Sequence, residues 1–356
     1  MYEVYGYSIM IAFKHIVDDF TEFFKNNVSV KPTHISRYPH TYIASSKYIS
    51  HTLSQYINTS ALASYTFADS GISVCIYSYE KSDVSVKLAT LYYRYIRSVI
   101  HICKKYSKLS CNSLRILIYL TPFKKEFGNS SIIIGPNEVN SGMTTECSFG
   151  NTIVVYRKEE WLKVCMHECI HFFGLDFSYV DNRIYKHLLE KVFCLKSDYL
   201  LSEALTEFWA EVLYICLYHV LYDKSILSLL NMELEHSINQ CKKILHFMNI
   251  TYTDIFAKKN SRTAPKFVEN TNVFCYYFLK TLFFYYIQEF LEWTQSHNTT
   301  LLSIDKSTNT IKSLCTWIET ASKRSEFIRS MTTTKDDWRN SRISNSNKGL
   351  KMMYHT

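Results

Sequence analysis

The feature that most constrains this chain is residues 164–176, VCMHECIHFFGLD. They place His167, Glu168 and His171 inside one strongly apolar stretch, 161–173, that reads as a helix behind an apolar strand, 152–156 (TIVVY). On an α-helix, positions i and i+4 lie on one face, one turn apart. Two imidazoles placed that way can bind a single Zn²⁺. Glu168 lies about 100° further round the helix. From there its carboxylate reaches a water on the metal and not the metal itself. Such a site acidifies the water with zinc and removes its proton with the glutamate. The pattern H-E-x-x-H fixes only three letters and arises by chance on ordinary helices. Its setting argues for more, because histidines on so apolar a helix are costly unless hydrogen-bonded or bound to metal.

Catalytic zinc usually takes three protein ligands and keeps one position open. In one scheme the third ligand follows a glycine, as H-E-x-x-H-x-x-G-x-x-H. Gly174 stands where that glycine belongs, but the ligand position is Phe177, which has no donor, and Asp176 is one residue early. Asp176 is therefore only a fallback ligand. In the other scheme a glutamate comes from a separate helix. Residues 202–211 read SEALTEFWAE, with Glu203 and Glu207 on one face and Leu205, Phe208 and Val212 for packing. Glu203 is the predicted third ligand. Glu207, one turn on, is expected to hold a histidine ring N–H from behind. A solvated acidic stripe is the plainer reading, but 200–222 is otherwise nearly all apolar, and carboxylates buried there need partners.

HECIH followed by an E-x-x-x-[DE] helix resembles the gluzincin branch of the zincin metallopeptidases, the branch that includes thermolysin. The resemblance covers roughly residues 151–212, the active-site core. It implies Glu203 as third ligand and Glu207 behind a ligand, where the family more usually has aspartate. The stretch from NSG to VYRKEEW is also similar to zincin-like proteins of large DNA viruses. The implied fold is α+β: a small mixed sheet with the active-site helix, then a mainly helical second half. The implied activity is that of a zinc metalloendopeptidase with one Zn²⁺, acting on a peptide or protein substrate, with Glu168 as general base. In many zincins a Tyr or His stabilises the oxyanion; Tyr276, Tyr277, His219 and Tyr199 are the candidates here. An edge strand beside the site, at 151–156 or 140–144, is expected to pair with the substrate backbone. The alternative is a zincin fold kept as an inactive binding or structural module. Asp176 or Glu207 in the inner shell would favour it, since structural zinc usually has four protein ligands. A helical interaction protein without metal is the third reading, and it requires both motifs to be coincidental.

Low Gly (8) and Pro (5) with 47% hydrophobic residues favour a helix-rich architecture with a sizeable core. Helices are expected at 13–24, 83–106, 182–195, 199–222, 225–249, 273–293 and 304–318, and a weak one at 45–65. Strands are expected at 72–79, 113–120 and 131–134, and 137–150 reads as a loop or hairpin. Three regions follow: an α/β part at 1–178, a helical part at 179–322, and a tail at 323–356. The tail holds eight Lys/Arg against three Asp/Glu, a local +5, and reads as disordered. It is also the only candidate contact with nucleic acid, because the rest of the net charge of +8 is spread out. Eleven cysteines without a C-x-x-C pair read as reduced thiols of a cytosol-like compartment, with a disulfide as the alternative. For a viral protein that compartment is the host cytoplasm or the virion. No secretory signal is read at the start. No run of about 18 uncharged apolar residues occurs, so a soluble protein without a membrane partner is expected.

Overall fold

The alternation of apolar residues in the first half builds a six-stranded mixed sheet. The structure, a computed structural model, describes residues 2–26, 30–37, 43, 48–128, 133–256, 265–332 and 348–354. Helix α1 (Tyr2–Lys25) precedes strand β1 (His34–Ser36), helix α2 (His51–Thr59), and strands β2 (Ala63–Asp69) and β3 (Ile72–Ser78). Helix α3 (Val86–Tyr106) leads to β4 (Leu114–Leu120). Helix α4 (Pro136–Val139) and strands β5 (Gly142–Met143) and β6 (Thr152–Val155) precede α5 (Trp161–Phe172). The strand order is β1-β2-β3-β4-β6-β5. The β2–β3 connection is two residues long, and Ser70 and Gly71 both take positive φ (47° and 81°), as a type I′ hairpin turn requires. β3, β4 and β6 run parallel, and β5 returns antiparallel to β6 at the edge.

Side chains alternate across this sheet with the period of two that a strand imposes. Val74, Ile76, Ile116, Ile118, Ile153 and Val155 face the main core with α1, α3 and α5. Cys75, Tyr77, Leu117, Tyr119, Val154 and Tyr156 face a second cluster closed by Leu53 and Ile57 of α2. The second half is helical: α6 (Arg183–Val192), α7 (Leu201–Tyr222), α8 (Ile226–Phe247), α9 (Lys280–Tyr285), α10 (Ile287–His297), α11 (Thr308–Ser322) and α12 (Ser325–Met331). Two short strands, β7 (Leu195–Lys196) and β8 (Phe267–Val268), pair in parallel between them. The fold is α+β. α7 is the one described helix long and apolar enough to cross a membrane, and 72% of that window is buried inside the protein.

Several elements differ from the sequence reading. The weak helix expected at 45–65 ends at Thr59, and 63–69 is a strand, because pairing on both sides with β1 and β3 overrides local propensity. The strand expected at 131–134 begins outside the described residues, and Ile134 makes only a bridge to Glu269. Residues 137–150 contain a turn of helix and the edge strand instead of a plain loop. The long aromatic helix opens as a π-helical turn, Phe274–Leu279, runs into α9, and breaks at Tyr286 (φ −109°, ψ 39°). Cys111 and Cys147 form a disulfide while nine cysteines remain free. Parallel pairing of Arg115 with Thr152 brings the chain just before β4 and the loop before β6 side by side, which sequence separation hides.

The tail reading is corrected most. Ser325–Met331 is helical, and Leu350, Met352 and Met353 are buried. Segment 348–354 threads between the two halves and satisfies its backbone there. Leu350 N donates to Lys125 O (2.7 Å) and Met353 N to Glu160 Oε1 (2.6 Å). Lys243, Tyr277 and Lys280 donate to the carbonyls of Gly349, Leu350 and Met352. The average charge of 323–356 concealed a short apolar stretch, and most of the remaining tail, 333–347, lies outside the described residues.

Candidate metal centre

Helix α5 is buried along its whole length from Leu162 to Phe172, so each polar group on it must find a partner inside the protein. Its end is fixed by a Schellman motif: Gly174 N bonds His171 O (3.0 Å) and Leu175 N bonds Ile170 O (3.0 Å). Gly174 has φ +60°, and a Cβ there would lie 2.6 Å from Leu109 Cδ1. That tight reversal carries Asp176 back beneath His171. Opposite α5 runs α7, whose Glu203, Glu207 and Glu211 recur every four residues along one stripe.

The two helices bring three donor atoms together. His167 Nε2 and His171 Nε2 are 3.0 Å apart, and Glu203 Oε2 lies 3.1 and 3.3 Å from them. His167, His171 and Glu203 form a group able to hold a metal ion. Tetrahedral ligands at about 2.0–2.1 Å from an ion stand about 3.3 Å apart, close to this triangle. The far ring nitrogens fit the same purpose. His167 Nδ1 meets Glu207 Oε2 at 2.8 Å and His171 Nδ1 meets Asp176 Oδ2 at 2.6 Å. A carboxylate only accepts, so with both rings neutral each Nδ1–H would donate to its carboxylate and turn the Nε2 lone pair toward the shared point.

The charges act in the same direction. Burial depresses the two histidines, but Glu203, Glu207 and Asp176 outweigh it and hold their pKa values above the ordinary range. Burial opposes ionisation of Glu203, yet the two imidazoles beside it hold its pKa far below the usual carboxylate range. A metal ion would compete with protons for this site. Glu168 is buried without a partner of that kind, and burial raises its pKa to about 7. It lies against the edge strand: a Cβ on Gly142 would come 2.5 Å from Glu168 Oε1, so only glycine there leaves the carboxylate its place.

A small cavity opens beside this carboxylate, lined among others by Ser141, Gly142, Val164, His167, Tyr276 and Met352. Of the four candidates for oxyanion stabilisation, Tyr276 lines it. Tyr277 OH is spent on Leu350 O (2.5 Å), Tyr199 OH on Phe193 O (3.1 Å), and His219 Nδ1 on Lys224 O (2.7 Å). Of the two segments expected at the sheet edge, 152–155 is interior and Gly142–Met143 is the edge.

Three partners escaped the sequence reading. Asp176, considered only as a ligand, sits behind His171 and is held by Ser178 Oγ (2.6 and 2.8 Å) and Thr206 Oγ1 (3.3 Å). Lys163 pairs with Glu207, and Lys280 with Glu211. The signal for Lys163 was present, since it stands four residues before His167 in an apolar run and must be neutralised there. Comparison with protein-family models, with curated proteins and with solved structures finds no match to this chain.

Proposed function

We propose that the protein is a zinc-dependent peptidase of the gluzincin type. The convergence of His167 Nε2, His171 Nε2 and Glu203 Oε2 on one point, with Glu168 beside it and without a hydrogen-bond partner among the described residues, carries this reading. Zinc held there supplies the Lewis acidity that lowers the pKa of a water toward neutrality. Glu168 accepts a proton from water in the cavity and passes it to the leaving amine of the scissile bond. Tyr276 faces the same cavity and donates to the carbonyl oxygen as charge develops on it. The outer edge of β5 pairs with the extended backbone of a peptide substrate. Glu207 and Asp176 are both turned to ring Nδ1 atoms, so three ligands remain. That number favours a catalytic site over a four-ligand structural one.

Elemental mass spectrometry of purified protein tests the site, and about one tightly held zinc per chain is expected. Turnover of a peptide library then tests the chemistry. Glu168→Gln should keep the zinc and lose about 10²–10⁴-fold in rate. No zinc after reconstitution at neutral pH overturns the reading. Zinc-loaded wild type that cleaves nothing makes the protein an inactive binding or structural module instead.

A further inference from the structure

Glu207 uses its two oxygens differently. Oε2 accepts from His167 Nδ1 at 2.8 Å, and Oε1 accepts from Lys163 Nζ. Lys163 stands one turn before His167 on the same face of α5, and its side chain is 1% exposed against 2% for Glu207. We propose that Lys163 is a positioning residue of the metal centre, acting on His167 through Glu207. The inference rests on the metal reading above.

The two histidines are anchored by different means. Asp176, behind His171, is fixed by the hydroxyls of Ser178 and Thr206. Among the described residues Glu207 has no hydroxyl partner, and its second oxygen accepts from the ammonium of Lys163. The ammonium on Oε1 pins the orientation in which Oε2 points at Nδ1. It thereby fixes the tautomer and the ring angle that present Nε2 to the metal.

Lys163 is in turn held in place by the far end of the chain. Met352 Sδ lies 3.7 Å from its ammonium. The next residue, Met353, ties its backbone N–H to Glu160 (2.6 Å), whose other oxygen pairs with Lys125 (2.7 Å). Segment 348–354 therefore packs behind the site, and its Met352 lines the small cavity together with Lys163 and Glu207.

Zinc dissociation constants, measured by competition with a chromophoric chelator, and the visible spectrum of cobalt-substituted protein test this. Wild type, Lys163→Met, Lys163→Arg, Glu207→Gln and the double variant Lys163→Met/Glu207→Gln are compared. Lys163→Met should weaken zinc about 10–100-fold and alter the cobalt spectrum, and Lys163→Arg should recover part of the loss. In the Glu207→Gln background, Lys163→Met should change the constant little, because the group it acts through is already neutral. The double variant leaves no unpaired charge, so this comparison stands even where Lys163→Met alone does not fold. An unchanged constant in Lys163→Met, or a further full loss in the double variant relative to Glu207→Gln, overturns the inference. Wild type that binds no zinc overturns the metal reading itself, and that arm separates the two failures.

Discussion

The two ends of the glutamate stripe on α7 meet the same need in opposite ways. At the closed end Glu211 is fully buried and both its oxygens reach Lys280 Nζ, at 2.9 and 3.1 Å. That ammonium also bonds Ser237 Oγ (2.9 Å) and Met352 O (3.1 Å), so its donors are filled by the chain itself. At the open end Glu203 keeps 16% of its side chain exposed and faces two imidazole Nε2 atoms. Glu207, between them, serves both worlds, with a lysine on one oxygen and a histidine on the other. A nearly apolar helix tolerates three carboxylates a turn apart only where each has a cation. The chain supplies that cation at the closed end, and under the proposed function zinc supplies it at the open end.

The contrast can be broken at either end. Lys280→Met leaves Glu211 and Glu233 buried without their ammonium, and should cost about 3–5 kcal/mol of stability, read by urea unfolding. Lys280 bonds neither Glu207 nor a proposed ligand and reaches the site only through Met352, so the folded fraction should lose less zinc affinity than Lys163→Met does; an equal loss would mean that the strap couples the two ends fully. Asp176→Asn keeps the shape at the open end but removes the charge behind His171, and should weaken zinc about 10–100-fold while also lowering the unfolding midpoint of metal-free protein, by less than Lys280→Met does. The smallest effect concerns the strap that joins the two ends. His236 Nε2 donates to Lys351 O (3.0 Å), and burial lowers its pKa from 6.5 to about 4. The unfolded chain thus takes up a proton that the folded chain refuses. The contribution of His236 is fully present above about pH 6.5 and is lost as the pH falls toward about 4. Comparing urea midpoints of wild type and His236→Gln across that window reads it; an equal slope in both would assign the pH dependence to other groups.

How much of the site was readable depended on distance along the chain. His167, Glu168 and His171 were readable because one turn of helix is a local fact of geometry. Glu203 and Glu207 were readable as a pair for the same reason, while their meeting with α5 rested on resemblance. Asp176 was visible as a letter but misplaced in role: the left-handed turn at Gly174 sends it behind the ring and not toward the ligand point. Lys280 looked like an ordinary break in an apolar helix, and Lys163 was not singled out; nothing local tells which carboxylate a buried lysine will meet.

By itself, then, the sequence determined the periodic elements, the helix that carries both histidines, and the demand that charges on apolar helices be matched. Hydrophobic spacing and the polar cost of burial are properties of short stretches, and they act before any fold exists. Only the tertiary structure decided which strand became the edge, that Cys111 and Cys147 adjoin, and that 348–354 packs behind the site. These depend on contacts between residues far apart in the chain. Such contacts form only when the ordering of a long loop is repaid by packing and hydrogen bonds at its ends, and no stretch of sequence carries that balance alone.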